Sequence, residues 1–145
     1  MADDSPLRQA QGTLRVRTGG QGLVEITDEV GRWVREQGLG TGLLVLFCRH
    51  TSASLTIQEN ADPSVQRDLE AFLKRLVPED PRQYSHTQEG ADDMPAHIRS
   101  ALTDVALSIP VADGRPVLGT WQGIYLFEHR SRGHERQVVA HLTGV

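Results

Sequence analysis

The stretch GLLVLFCRH, residues 42–50, constrains this chain most. Six consecutive apolar side chains, 43–48, stop abruptly at Arg49 and His50. The run is far shorter than the ~18–20 residues that cross a bilayer, but it is the length of a strand. A strand without polar alternation carries apolar groups on both faces, so it is expected at the centre of a sheet covered on both sides. The next segment, SASLTIQE (52–59), does alternate: Ala53, Leu55 and Ile57 point one way, Ser54, Thr56 and Gln58 the other. That pattern predicts a second strand with one polar face.

Around this pair the periodicity predicts a strand at 13–18, a helix at 27–38 capped by Thr27 or Asp28, and a final strand at 137–144. The clearest helix is ADPSVQRDLEAFLKRLVP (61–78). Asp62 is placed to cap it, Pro63 has no N–H to lose in the first turn, and Val65, Leu69, Phe72, Leu73 and Leu76 form one apolar stripe. Residues 79–90 read as a loop and 94–104 as a third helix. Strands at 105–111 and 117–130 flank Asp113-Gly114, a strong hairpin signal. Residues 1–12 read as a flexible polar tail and 13–145 as a single domain. The fold class expected is α+β: an antiparallel, sandwich-like sheet core with about three helices. In WQGIYLFEHR, Trp121, Tyr125 and Phe127 alternate with Ile124 and Leu126. Both faces of that strand therefore need cover, from helices or from another subunit.

The chain has 145 residues, a net charge of -4 and a pI of about 5.8. That balance argues against nucleic-acid binding, which relies on clustered Lys and Arg. It leaves room for a small phosphorylated metabolite. The N-terminus lacks a basic region followed by an apolar one, no apolar run spans a membrane, and a single cysteine, Cys48, forms no internal disulfide. A cytoplasmic protein with no membrane partner is expected, with Cys48 a buried small hydrophobe.

Chemistry concentrates in YSHTQEGADDMPAHIRS (84–100), where His86, Glu89, Asp92, Asp93 and His97 crowd around the start of the third helix. Capping accounts for one of Asp92 and Asp93 and leaves the other over. His97 falls in the first turn, where the helix dipole disfavours imidazolium, and a neutral imidazole is what a metal ligand or a base must be. Polar residues also cluster at strand ends: Arg49, His50, Thr51 and Ser52; Gln58, Glu59 and Asn60; Glu128, His129 and Arg130. Arg132 and Arg136 read as surface charges.

HTSASLTIQENADPSVQRDLE, YSHTQEGADDMPAHIRS and GTWQGIYLFEHR resemble, in order and spacing, the motifs of the YjbQ-like family, from about residue 13 to 144. The resemblance implies an antiparallel α+β fold, a homotrimer with sites near subunit interfaces, histidine-bound metal, and a weak, secondary thiamine-phosphate synthase activity. By position, the family's polar residues fall on His50, Ser52, Glu59, Asn60, Asp62, His86, Glu89, Asp92, Asp93, His97, Trp121, Gln122, Glu128, His129 and Arg130.

The expectation is a metal-dependent enzyme. A divalent metal, zinc or another transition ion, is held by His86 and His97, with His50 or His129 completing the set. Asp92, Asp93, Glu128 and Asn60 are the catalytic group, and Arg130, Ser52, Glu59 and Gln122 bind substrate. The synthase reaction joins a pyrimidine pyrophosphate to a thiazole phosphate and releases pyrophosphate. The alternative is a non-catalytic trimer that binds a metal or a metabolite.

Overall fold

A computed structural model describes residues 4–145. The elements run β1 (Arg8–Arg17), β2 (Gly22–Glu25), α1 (Thr27–Glu36), β3 (Gly42–Cys48), β4 (Ala53–Glu59), α2 (Pro63–Leu76), α3 (Asp93–Leu102), β5 (Ala106–Ala112), β6 (Arg115–Pro116), β7 (Gln122–Glu128) and β8 (Glu135–Gly144). A single 3-10 turn at Pro81–Gln83 interrupts the loop before α3. All pairings are antiparallel, in a five-stranded sheet of order β1-β8-β3-β5-β6 and a three-stranded sheet of order β2-β7-β4. The α+β class expected from the sequence is the one observed.

The core lies between the sheets. Leu44 and Leu46 of β3, Val138, Ala140 and Leu142 of β8, and Ile109 and Val111 of β5 meet Leu55 of β4 and Ile124 and Leu126 of β7, with Val30 and Val34 of α1 closing one side. Even-numbered positions of β7 and β8 thus point inward. The odd face of β7 is buried as well, and helices cover it: the Tyr125 hydroxyl accepts a 2.8 Å hydrogen bond from Gln66 Nε2 of α2. β3 departs from expectation. Only its even face is in the core, while Leu43 and Phe47 are about half exposed. A two-sided apolar strand therefore sits in a sheet whose outer side the described residues leave half exposed at Leu43 and Phe47.

Other differences have local causes. β1 begins at Arg8, inside the segment read as a tail, because β8 is long enough to pair with it from Arg8↔Gly144 onward; the tail's residues 1–3 lie outside the described residues. β2 has no counterpart among the expected strands, being four residues in a glycine-rich stretch too short to show a period. Thr27 does not cap α1. Its hydroxyl donates to Glu25 Oε2 and accepts from Ile124 N, tying the helix to β7. Asp62 does cap α2, accepting from Ser64 N at 2.9 Å. Of the α2 stripe only Leu73 is buried, and Phe72 and Leu76 face outward. The Asp113-Gly114 turn forms with both residues at positive φ (51° and 72°), but it returns the chain into the two-residue β6 rather than a long strand. Trp121 precedes β7 and is exposed.

Candidate functional site

The register Ala53↔Glu128 places the start of β4 beside the end of β7, and His129 N extends the ladder by donating to the Ser52 carbonyl. Beyond that point Arg130 leaves the sheet and reaches the amino end of α3. Its Nε donates to Asp92 Oδ2 (2.8 Å), its Nη1 lies 2.9 Å from Asp93 Oδ1, and its Nη2 donates to the Glu89 carbonyl (3.0 Å). Ser131 adds its N–H and hydroxyl to Asp92 Oδ2. Neither acid therefore caps α3, which has no side-chain cap at all. Gly90 makes the approach possible, with φ at 110° and no room for a Cβ, which would fall 2.9 Å from Asp92 Oδ1. The hydrogen bond from Arg130 is the main reason the Asp92 carboxyl sits well below the usual carboxylate range.

Asp93 is 2% exposed. Its Oδ2 lies 2.7 Å from His86 Nε2 and 3.1 Å from His97 Nε2, one turn along α3, and the two rings tilt at a centroid distance of 5.5 Å. Burial opposes its charge, but the bond to His86 and the fields of His97 and Arg130 outweigh it and hold the carboxyl below its ordinary range. His97 Nδ1 lies 2.9 Å from the Thr51 carbonyl, which can only accept. The proton is thus on Nδ1, and in the neutral ring Nε2 is a lone pair aimed at a carboxylate oxygen. Two acceptors at 3.1 Å require a proton or a cation between them. The three donor atoms of His86, Asp93 and His97 all lie within 4.8 Å of one another. A tetrahedral ion with bonds of ~2.0–2.1 Å asks for ligand atoms ~3.3 Å apart, so small adjustments suit the set to one. A carboxylate and two imidazoles are also the right donor types for zinc or a similar ion.

The other expected ligands lie elsewhere. His50 Nε2 accepts from Gln137 N at 2.8 Å, which occupies its lone pair. His129 is fully buried just past the end of β7, with Nε2 2.8 Å from Ser54 Oγ, which in turn accepts from Thr103 Oγ1. Burial is the chief cause that pushes His129 down to about 4. Neither joins the three-residue group, because β3 and β7 hold them in the ladder and the core.

Glu128, expected as a base or ligand-orienting group, is sealed in the core at 0% exposure. Oε1 accepts from Thr18 Oγ1 (2.7 Å) and Arg136 Nε (2.9 Å); Oε2 accepts from His129 N, Arg130 N and Arg136 Nη2. Burial works against its ionisation, but Arg136 and Thr18 prevail and its carboxyl stays below the ordinary range. Arg136, read as a surface charge, is the buried counterion, and also donates to Ser52 Oγ. The missed signal was parity: Glu128 continues the inward series Ile124, Leu126, and Arg136 opens the inward series Val138, Ala140, Leu142.

Glu59, Asn60 and Gln122 lie at the far end of the β4–β7 ladder, the length of β4 (~20 Å at ~3.3 Å per residue) from Ser52 and Glu128. There Asn60 Nδ2 donates to Glu25 Oε2, and Gln122 Oε1 accepts from Gly119 N. Within one chain these residues do not share a site with Asp92 and Asp93.

Comparisons with known proteins agree with this architecture. The model of the family described as UPF0047 protein YjbQ-like matches residues 12–145. A UPF0047 protein of Synechocystis sp. is 53% identical over 94% of this chain and 93% of its own length. UPF0047 protein YjbQ of Escherichia coli O157:H7 is 46% identical over 92% of this chain and 97% of its own. Among solved structures, a YbjQ-like protein of unknown function from Sulfolobus solfataricus superposes with a TM-score of 0.88 at 26% identity, covering 97% of this chain and 100% of that one. A conserved hypothetical protein of Thermus thermophilus gives 0.79 at 39% identity, covering 88% and 97%. The chain belongs to the UPF0047 YjbQ-like family.

Proposed function

We propose that this protein is a metal-dependent enzyme acting on a small anionic metabolite, with His86, Asp93 and His97 as the ligands of one divalent ion. One observation carries the reading: Asp93 Oδ2 lies within 3.1 Å of two imidazole nitrogens, and the Nδ1 bond to Thr51 leaves Nε2 of the neutral His97 ring as a lone pair aimed at that oxygen. A divalent ion there supplies Lewis-acid polarisation of a phosphate or carbonyl oxygen. The chain's own groups prepare the place. Thr51 sets the tautomer of His97, Arg130 fixes Oδ1 so that Oδ2 faces the rings, and His86, 47% exposed, leaves a solvent-facing side for substrate.

The thiamine-phosphate synthase reaction fits as a side activity. Arg130, the expected phosphate clamp, already spends Nε, Nη1 and Nη2 on Asp92, Asp93 and Glu89, so it offers little to a departing pyrophosphate. Self-association into a trimer is part of the proposal. Its support is the outer face of β3, where Leu43 and Phe47 stand half exposed. No helix among the described residues is long and apolar enough to cross a membrane.

The test is metal content on untagged protein, before and after addition of zinc or manganese, for wild type and His97→Ala. Stoichiometric metal that disappears in the variant is expected. A wild type that takes up neither ion overturns the reading. Thiamine-phosphate formation unchanged in His97→Ala would remove that reaction from this site.

A further inference from the structure

Arg99 of α3 is the largest fully buried side chain among the described residues, at 1% exposure, and it is poorly satisfied. Nη2 donates to the Val77 carbonyl at the end of α2 (2.7 Å). Nε and Nη1 have no hydrogen-bond partner among the described residues, and neither has the buried Nε2 of Gln21. The nearest carboxylate, Glu79 Oε1, stands 3.9 Å from Nη1, within Coulombic reach but beyond hydrogen-bond length, on a side chain 41% exposed. A buried donor without an acceptor costs free energy, and more when it is charged. A fold that keeps three such donors together is short of acceptors and of negative charge at that point.

The same residues line one cavity. Gln21, Lys74, Glu79, Arg99 and Ser131 surround about 400 Å³, within the ~300–1,000 Å³ of small-molecule sites. Lys74, in the last turn of α2, has no ion pair among the described residues. We propose that this cavity is a phosphate-binding site, in which an oxyanion faces the Lys74 ammonium, displaces Glu79 from the guanidinium and, by that movement, gains Arg99 Nε and Nη1 and Gln21 Nε2, donors that are closed off from solvent in the present arrangement. The guanidinium fork suits two oxygens of one phosphate. The volume leaves space for a phosphorylated metabolite rather than the ion alone. Ser131 belongs both to this wall and to the Asp92 contacts beside Asp93, so the anion would lie next to the proposed metal ligands. The phosphate site itself does not depend on metal.

Titration of the full chain in a chelator with inorganic phosphate and pyrophosphate, followed by calorimetry, tests it. Binding without metal is expected. Lys74→Gln weakens it about fivefold, as loss of one exposed charge contact does, while Glu79→Gln tightens it by removing the competing carboxylate. Both residues are exposed, so these variants fold even if Arg99→Gln does not. Absence of binding in chelator overturns the proposal, as does binding indifferent to both surface variants. Phosphate binding that vanishes in His97→Ala but not in Lys74→Gln also overturns it, placing the anion at the histidines instead. The metal reading stands or falls separately, on the metal content of His97→Ala.

Discussion

Asp93 and Glu128 are both carboxylates withdrawn from water, and each faces an arginine. What else reaches them differs. Every hydrogen bond to Glu128 comes from a guanidinium, a threonine hydroxyl already turned toward it, or a backbone N–H group, while its one imidazole neighbour, His134, stands 3.4 Å from Oε1 without a hydrogen bond. Asp93 has a guanidinium on Oδ1 only, and its Oδ2 meets two imidazoles, which can donate, accept or bind a cation. The first arrangement is complete as it stands. The second is complete only when a proton or an ion is added, and it opens toward solvent through His86. Burial and an arginine partner therefore do not identify a functional carboxylate. The character of the remaining partners does.

The sharpest way to break this contrast is Glu128→Gln. The amide keeps the volume but leaves Arg136 a buried charge facing a neutral group, a loss of about 3–5 kcal/mol by analogy with other broken buried pairs. Guanidinium denaturation at pH 7 should show it, with metal uptake by the folded protein unchanged. A loss below about 1 kcal/mol, the scale of a single net hydrogen bond, would mean that Ser52, which already accepts from Arg136, can replace Glu128. The two carboxylates would then not differ as argued.

A smaller effect comes from the neighbour of Glu128 in sequence. His129 is neutral in its buried site down to about pH 4, whereas an unfolded histidine protonates near ~6.5. Between those values the unfolded chain binds the extra proton, so stability falls as pH falls, by about 3 kcal/mol in total. Below that window the lowered carboxyls of Asp92, Asp93 and Glu128 take over and remove more as they protonate. His129→Gln should flatten the arm between about pH 6.5 and 4 and leave the lower one. An unaltered upper arm in that variant would show that His129 is not the group responsible.

Local patterns carried much of the fold. The strands at β3 and β4 and the capped start of α2 were legible because a period and a capping residue are written within a few positions. His86, Asp93 and His97 were legible for the same reason, spanning one loop and one helical turn. What failed depended on distant partners. The capping role expected of Asp92 or Asp93 was lost to Arg130, which engages both carboxylates from 38 and 37 residues away. Arg136 and Arg99 were unreadable as buried because a long charged side chain looks the same in a sequence whether or not a counterion or cavity awaits it. The apolar run of β3 reads as buried on both faces, but only its even face is, and Leu43 and Phe47 are left about half exposed, because an apolar run shows which side chains could be covered and not whether a distant segment covers them.

The last prediction concerns Asp93→Asn, where stability and function should part. An asparagine can keep its carbonyl oxygen on Arg130 and turn its amide toward His86 and His97. The His97 lone pair, held toward this position by the Thr51 bond, then meets a donor in place of a second acceptor. In chelator the variant should match wild type within about 1 kcal/mol, the scale of one exchanged hydrogen bond, against the several expected for Glu128→Gln. Metal should nevertheless be lost, since a neutral amide replaces the only anionic ligand of the three. Denaturation midpoints in chelator and metal content on the same preparations decide the matter together. A large loss of stability without metal would make Asp93 a structural ion pair like Glu128. Full metal retention would show that the two imidazoles hold the ion unaided.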